Sequence, residues 1–425
     1  PNPQSPIPNP QSPSPTSNIL YFLFYQINCI IIRIDLNIKK MNSKSKEYYL
    51  SYENRRNLGT LLLLNSPKKM QFGIDLSQWV IGEKFMGIKL IPIGIHYISF
   101  SLSEENNAFK QGFFIEIPDN KNKSKNIIRE WNPKYETFIK LNDEMDKNYS
   151  IGLDNLDFDQ FLGNYPYEQI SNWNDLSKFL NINIINKLQK NIDMTLCPEV
   201  KEEKDKNNEI ENEDKNNINK QIISYDNIDF TEFYLNQPEY INSLDKSVLL
   251  EKILLKFKSP NEFLGEFQYT FILFLIGEVY EALKQWKDIF ILITSSENLI
   301  NKKNLEKFFC DFIEIIYNQL RLFPDDLMHD VILENNFLKR YLTNFLLYEK
   351  NDMKNFTKRQ KLLKAFVEEK FGYKIKSEEE RIIENYLNKD KDKNKKDKID
   401  YYELYKDDIN DDLPVIVDDM DNFAI

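Results

Sequence analysis

Two histidines, His96 and His329, are the whole imidazole supply of this 425-residue chain. Any Ser/His or Cys/His nucleophile system would have to be built around one of them. His96 stands between Ile95 and Tyr97 in an alternating run, the setting of a strand residue satisfied by its neighbours. His329 has Asp326 and Asp330 close by in sequence. Such a trio could hold a metal, but an acid-rich exposed helix start accounts for it more simply. The cysteines are Cys29, Cys197 and Cys310, far apart and without a CxxC pair. They outline neither a zinc ribbon nor a disulfide framework, and a reducing compartment, cytosol or nucleus, is their natural setting. Cys310 lies in an apolar helical pattern and reads as a small buried hydrophobe. With 67 Asp and Glu, no glycosidase-type carboxylate pair stands out. GxxxxGK, GxGxxG, HExxH and GxSxG are all missing from the sequence, and with them phosphate-loop, dinucleotide, zincin and nucleophile-elbow chemistry. Lys121, Lys123, Lys125 and Arg129 could meet RNA phosphates. A net charge of −11 and a pI near 5.1 lower that reading, and a solvated hairpin loop explains the cluster. The expectation is a binding protein with no catalytic residue, no metal and no cofactor.

The elements that must carry the binding surface divide the chain. Residues 47–140 read as β: Leu61–Leu64 follows Gly59 and ends at Asn65-Ser66-Pro67. Lys89–Ile91 and Ile95–Ser101 are extended runs joined by the turn Pro92-Ile93-Gly94. Gln111–Ile117 and Ile127–Trp131 flank a polar tract, a pattern that predicts a hairpin with a long loop. Short strands with turn signals between them predict a sandwich or small barrel. Leu156, Phe158, Phe161 and Leu162 suit a short helix capped at Gly163, which Pro166 prevents from continuing. Trp173 and Leu176–Leu188 follow as a second helical piece. From 228 to 372 the period is helical. Glu262–Ile276 is apolar all round, the mark of a buried central helix. Tyr280 to Ile293 and Leu305 to Leu320 repeat at three and four, Pro324-Asp325-Asp326 opens another helix, and Asn336–Tyr348 and Lys361–Phe371 complete a bundle or superhelix. The expected division is an N-terminal extension at 1–46, a β-sandwich-like domain at 47–196, a linker at 197–227, an all-α domain at 228–387 and an acidic tail at 388–425. The fold class is therefore two-domain α+β.

The linker holds almost no apolar side chains and cannot repay its ordering entropy. The first eighteen residues are Pro/Ser/Asn/Gln-rich, and Ile19–Ile34 is apolar but interrupted by Gln26, Asn28 and Arg33, short of a spanning helix. A membrane or targeting segment and an upstream extension with Met41 as the start both fit, and the Asn, Lys and Ile bias favours the extension. Within the acidic tail, Leu413-Pro414-Val415-Ile416-Val417 is a β-prone apolar island between Asp412 and Asp418.

One stretch, QFGIDLSQWVIGEKFMGIKLIPIGIHYISFS over residues 71–101, carries Phe72, Gly73, Ile74, Asp75, Trp79, Gly82, Phe85, Gly87, Lys89, Pro92, Gly94, Ile95 and His96. It resembles the signature of the Aar-two (a1-alpha2 repression) splicing-factor family. Further matches follow in order: Phe161-Leu162-Gly163-Asn164-Tyr165-Pro166-Tyr167, then Phe274 to Ala282 with Gly277, Glu278 and Tyr280, then Gln285-Trp286, then Asn335 to Leu338. Read physically, Gly73, Gly82, Gly87 and Gly94 are expected in tight turns, and Phe72 and Trp79 as core anchors. The resemblance implies a β-sandwich-like domain followed by a VHS-like helical domain, and no catalysis. It implies binding to the large U5 snRNP scaffold protein at its RNase H-like and Jab/MPN-like domains. The U5 particle is then assembled in the cytoplasm and nucleus, and the U5 helicase is excluded until maturation. It further implies that a tail segment, here Leu413 to Val417, adds as a strand to the partner, and that phosphorylation releases the partner, with Ser224 as a candidate. The competing reading is a trafficking or scaffold adaptor that binds peptides on its helical superhelix. A cryptic hydrolase ranks third.

Overall fold

The structure, a computed structural model, describes residues 57–102, 110–120, 123–189, 192, 195–196, 223–225, 228, 230, 245–323, 337–348, 353–372, 374–377 and 380. The N-terminal extension, most of the linker, His329, Pro324-Asp325-Asp326 and the tail lie outside these residues. Nine strands form two sheets among the described residues. Sheet A runs in the order β8-β7-β1-β4-β9 and sheet B in the order β3-β2-β5-β6. The strands are β1 Gly59–Leu64, β2 Gln71–Ile74, β3 Ser77–Val80, β4 Gly87–Ile91, β5 Gly94–Ser101, β6 Gln111–Ile117, β7 Asn126–Asn132, β8 Thr137–Lys140 and β9 Leu162–Asn164. Helices follow as α1 Asp143–Asp154, α2 Ile170–Ser177, α3 Ile182–Gln189, α4 Ser247–Leu254, α5 Pro260–Leu275, α6 Tyr280–Thr294, α7 Glu297–Ile300, α8 Glu306–Leu322, α9 Phe337–Leu347 and α10 Lys354–Phe371.

Sheet B is an inner layer, and the alternation of its side chains says why. In β5, His96, Ile98 and Phe100 are on one face and Ile95 and Tyr97 on the other. Ile98 and Phe100 join Leu61, Ile88 and Ile91 of sheet A in one core. Ile95 and Tyr97 join the helices in a second. Both faces are covered, so β5 and β6 read as nearly continuous apolar runs. The outer face of sheet A packs Leu62, Leu64 and Ile128 beneath Leu141 and Leu153 at the ends of α1.

The expected hairpin between β6 and β7 does not form. β6 pairs with β5 in sheet B. β7 lies in sheet A, parallel to β1 and antiparallel to β8. Alternation specifies which face of a strand is apolar and leaves its neighbour open. The short helix expected to be capped at Gly163 is corrected too. Asp159–Phe161 is one 3-10 turn, and Gly163 sits inside β9, parallel to β4. Trp173 to Leu188 forms two helices rather than one, separated at Lys178–Asn181, where the Asn181 side chain accepts from the backbone N–H of Asn183 and Ile184 (3.0 and 3.2 Å). Of the four turn glycines, Gly87 and Gly94 do have positive φ (138° and 134°), and Gly82 opens the turn to Phe85. Gly73 lies within β2, where a Cβ would meet the Ser99 hydroxyl at 2.6 Å. It is a close-approach glycine, not a turn.

In the helical part, α5 is buried at every residue from Phe263 to Leu275. Its Gly265 lets the backbone of residue 179 pass: a Cβ there would stand 2.6 Å from the Phe179 carbonyl oxygen and 2.3 Å from the Ile184 Cδ1. The helices α2 and α3, encoded before the linker, thus share one hydrophobic core with α4 to α10, encoded after it. A charged seam ties the same elements. Glu314 on α8 accepts from Lys178 and from Arg359 of α10, each at 2.8 Å. Burial raises the Glu314 pKa, but these two bonds outweigh it, and the net shift is downward.

The C-terminus of α8 is closed by a side chain from another helix. Lys370 Nζ donates to the carbonyls of Leu320 (2.6 Å), Arg321 (3.0 Å) and Phe323 (2.9 Å), where the helix leaves acceptors unsatisfied and its dipole is negative. Lys370→Met keeps the aliphatic stem and removes the ammonium. It should cost about 1–2 kcal/mol, read as a lower urea midpoint at unchanged m-value. An unchanged midpoint would mean that water caps these carbonyls equally well.

Candidate functional site

The signature residues, scattered over two hundred positions, meet in two places. The first is a buried polar knot. Asp75 closes β2 in the left-handed region (φ 55°), which a short polar side chain tolerates better than most. Its Oδ2 accepts from His96 Nδ1 (2.6 Å) and from the Tyr165 hydroxyl (2.6 Å), and its Oδ1 accepts from the Tyr97 backbone N–H (2.9 Å). His96 Nε2 faces the Pro92 carbonyl at 2.9 Å. Both ring nitrogens therefore lie within hydrogen-bond distance of oxygen atoms of this chain. Asp75, His96 and Tyr165 are 3%, 1% and 3% exposed. Burial pushes the Tyr165 hydroxyl well above its ordinary pKa, and the Asp75 charge adds to it, so Tyr165 stays a donor. The Trp173 indole N–H donates to the Ile95 carbonyl (2.8 Å), and its ring stacks on His96 at 6.3 Å. The group has the residue types of an acid–base relay, but its partners are all groups of this chain. It fastens the β2–β3 turn, β5, the segment after β9 and α2 to one another. The expected satisfied strand histidine is what His96 is.

On the far side of Tyr165 and Tyr167 lies an open groove of about 360 Å³, lined by Trp79, Phe85, Ile88, Leu90 and residues 163–168. Phe72 supports Trp79 and Phe85 from below, with ring centroids 5.6 and 5.3 Å away. Tyr167 is held by a hydrogen bond from its hydroxyl to the Leu90 carbonyl. Lys89 fixes the wall through Asp159, bonding its carboxylate at 2.7 Å and its carbonyl at 2.9 Å. Trp79 and Phe85 are half-buried, and Asn164 and Glu168 are exposed at the rim. The groove borders β9, which among the described residues is an edge strand paired with β4 alone. An aromatic floor beside a sheet edge suits an extended peptide segment.

The second meeting place is the junction of the β and helical parts. Gly277 leaves no room for a Cβ, which would stand 2.7 Å from the Tyr97 hydroxyl and 2.8 Å from the Leu273 carbonyl. Glu278 is left-handed (φ 58°) and faces Lys110 Nζ at 3.6 Å. Lys110, only 4% exposed, also donates to Gln78 Oε1 at 3.2 Å. Burial lowers its pKa, and Glu278 offsets part of that. Phe114 stacks on Tyr269 at 5.3 Å. Tyr280 stays 51% exposed, and Trp286 is fully buried. Ile74 is buried in the core between the two sheets, Leu162 is half-buried against the Leu62 and Leu153 cluster, and Phe161 and Pro166 are half-buried.

Lys110 and Gly265 escaped the sequence reading. A lone glycine inside an apolar helix is a signal for close approach, whereas nothing marks Lys110 among its many counterparts. Ser224 is exposed, and its N–H donates to the Leu188 carbonyl at 2.6 Å. Leu413, Pro414, Val415, Ile416 and Val417 lie outside the described residues. No group of three His, Cys, Asp or Glu able to hold a metal occurs among the described residues, and no helix among them is long and apolar enough to cross a membrane.

Both halves of the chain match known sequences. The AAR2 N-terminal domain matches residues 57–190, and the AAR2 C-terminal repeat region matches residues 241–376. The Protein AAR2 homolog of Homo sapiens is 30% identical over 322 residues, covering 67% of this chain and 81% of its relative. That of Mus musculus is 29% identical over 356 residues, 76% and 91% of the two chains. The A1 cistron-splicing factor AAR2 of Saccharomyces cerevisiae is 24% identical over 327 residues, 71% and 86%. With its polar knot, its groove and its junction all built from residues inside the two matched regions, the chain belongs to the AAR2 family.

Proposed function

We propose that this chain is a pre-mRNA splicing assembly factor that works by binding protein, without catalysis. Its partner is the large U5 snRNP scaffold protein, bound at the RNase H-like and Jab/MPN-like domains. The bound scaffold is held in a precursor particle in the cytosol and nucleus and kept from the U5 helicase until maturation. The observation that carries the reading is the match of both halves to one family that includes a yeast protein named as a splicing factor. Two features supply the means. The groove at Trp79, Phe85 and Tyr167 offers an aromatic floor to an extended partner segment. The apolar island Leu413 to Val417 is suited to add as a strand to a partner sheet, with release controlled by phosphorylation at or near Ser224.

The test is affinity purification of the tagged chain, with and without residues 413–425, read by mass spectrometry. The scaffold protein should be recovered with its snRNP companions and without the helicase, and recovery should fall when the tail is removed. Recovery of the helicase together with this chain would refute the exclusion role. Undiminished recovery without the tail would refute strand addition alone.

A further inference from the structure

On a chain of net charge −11, the outer face of α10 is basic. Between Lys354 and Val367 there are five cations, Lys354, Lys358, Arg359, Lys361 and Lys364, and no carboxylate. Arg359 is engaged by Glu314. Lys354, Lys358 and Lys361 are exposed and take part in no ion pair among the described residues. At 3.6 residues per turn the three fall within about 60° of arc. Bordering them on the same side is Leu362, 62% exposed. Among the described carboxylates, Glu314 holds Lys178 and Arg359, and Glu368 and Glu369 stand beyond the lysines toward the end of the helix. The face is a cationic stripe with an apolar contact at its margin.

Its complement is in the same chain. From Asp400 to Ile425 there are nine carboxylates and one lysine. At their centre Asp411-Asp412-Leu413-Pro414-Val415-Ile416-Val417-Asp418-Asp419 places an apolar core between two acidic pairs. α10 ends at Phe371, about 15 Å along the helix axis from Lys361. Glu380 is the last described residue, 31 positions before Asp411, and a random-coil chain of that length would have a root-mean-square span of roughly 30 Å. Tethering at that range corresponds to an effective concentration on the order of millimolar. Even a weak contact is then well occupied. We propose that residues 411–419 dock on the Lys354/Lys358/Lys361/Leu362 face of α10 and are held there until a partner takes the segment. The inference does not depend on which partner that is.

Zero-length carbodiimide cross-linking of the full chain, followed by peptide mass spectrometry, tests it. Lys354, Lys358 and Lys361 should be joined to carboxylates between Asp411 and Asp421 within one monomer. These links should fall several-fold at roughly 1 M salt, where the Debye length is about 3 Å. L362D, at an exposed position, should also lower them several-fold while leaving the Lys178–Glu314 link unchanged as a control for folding. Tail carboxylates linked to lysines all over the surface without preference, or linked only between chains, would overturn the proposal. So would links indifferent to L362D. If a short single-stranded RNA protects the three lysines from acetylation and no tail link forms, the face is a phosphate surface and the tail does not dock there.

Discussion

Replacing Asp75 by Ala is expected to cost about 3–5 kcal/mol of folding stability, because it removes the acceptor that three buried groups share. Three donors lose their acceptor together: His96 Nδ1, the Tyr165 hydroxyl and the Tyr97 N–H. Each is buried, so each bears its own desolvation cost. The alanine also inherits a φ of 55°, where a residue without a local polar contact is strained. Denaturant unfolding with two further variants separates these causes. His96→Ala alone should be destabilising, and the double variant should cost less than the sum of the singles by 1 kcal/mol or more, since each single strands the other group. Strict additivity would mean that Asp75 and His96 do not act as a pair. A cost below about 1 kcal/mol for Asp75→Ala would mean that the knot is not what fastens the β2–β3 turn to β5 and to Tyr165.

The second large effect is expected at Trp286, fully buried on α6. Its indole stacks on Phe267 (5.8 Å, 6°), Phe290 (5.7 Å, 21°) and Phe323 (5.7 Å, 26°), and its N–H donates to Gln319 Oε1 at 3.0 Å. Trp286→Ala opens a cavity where α5, α6 and α8 meet and strands a buried amide, for a cost of about 3–5 kcal/mol. Trp286→Phe keeps most of the stacking and loses the hydrogen bond, so about 1–3 kcal/mol is expected. Equal losses for the two variants would assign the effect to the Gln319 bond rather than to packing. Both variants report on the helical half, whereas Asp75 reports on the β half. Because α2 and α3 lie in the helical core, Trp286→Ala should lower the unfolding midpoint seen by probes in both halves. A transition confined to residues after 245 would show that the halves unfold separately.

The groove follows from this build. Phe72, Tyr165 and Tyr167 hold its floor and wall through ring contacts and two hydroxyl bonds. The knot positions Tyr165 in the groove wall, although neither Asp75 nor His96 lines the groove.

Local pattern was enough for part of this protein. Apolar spacing marked α5, α6 and α8, and the all-round apolar character of Glu262–Ile276 foretold a central helix, because a helix without a polar face has nowhere to lie but inside. β-prone runs bounded by turn residues marked β1, β4, β5 and β6. The signature stretches picked out Asp75, His96 and Tyr165 of the knot, Trp79, Phe85 and Tyr167 of the groove, and Gly277 and Glu278 of the junction, without giving their arrangement. α1 went unread because its sequence, DEMDKNYSIGLD, buries only Leu153 and so has almost no apolar stripe. Partner choice went unread as well. β6 and β7 are neighbours in sequence with a hairpin's spacing, yet each is stabilised in a different sheet, since a two-residue period fixes the buried face and is silent about the strand alongside. Phe158 to Gly163 has apolar residues at helical intervals, but Gly163 is used to extend sheet A beside β4. Asp75 meets Tyr165 across ninety positions, and Lys110 meets Glu278 across the linker. Contacts of that range depend on how layers stack, and a burial cost that only the assembled layers impose is what makes these polar pairs matter.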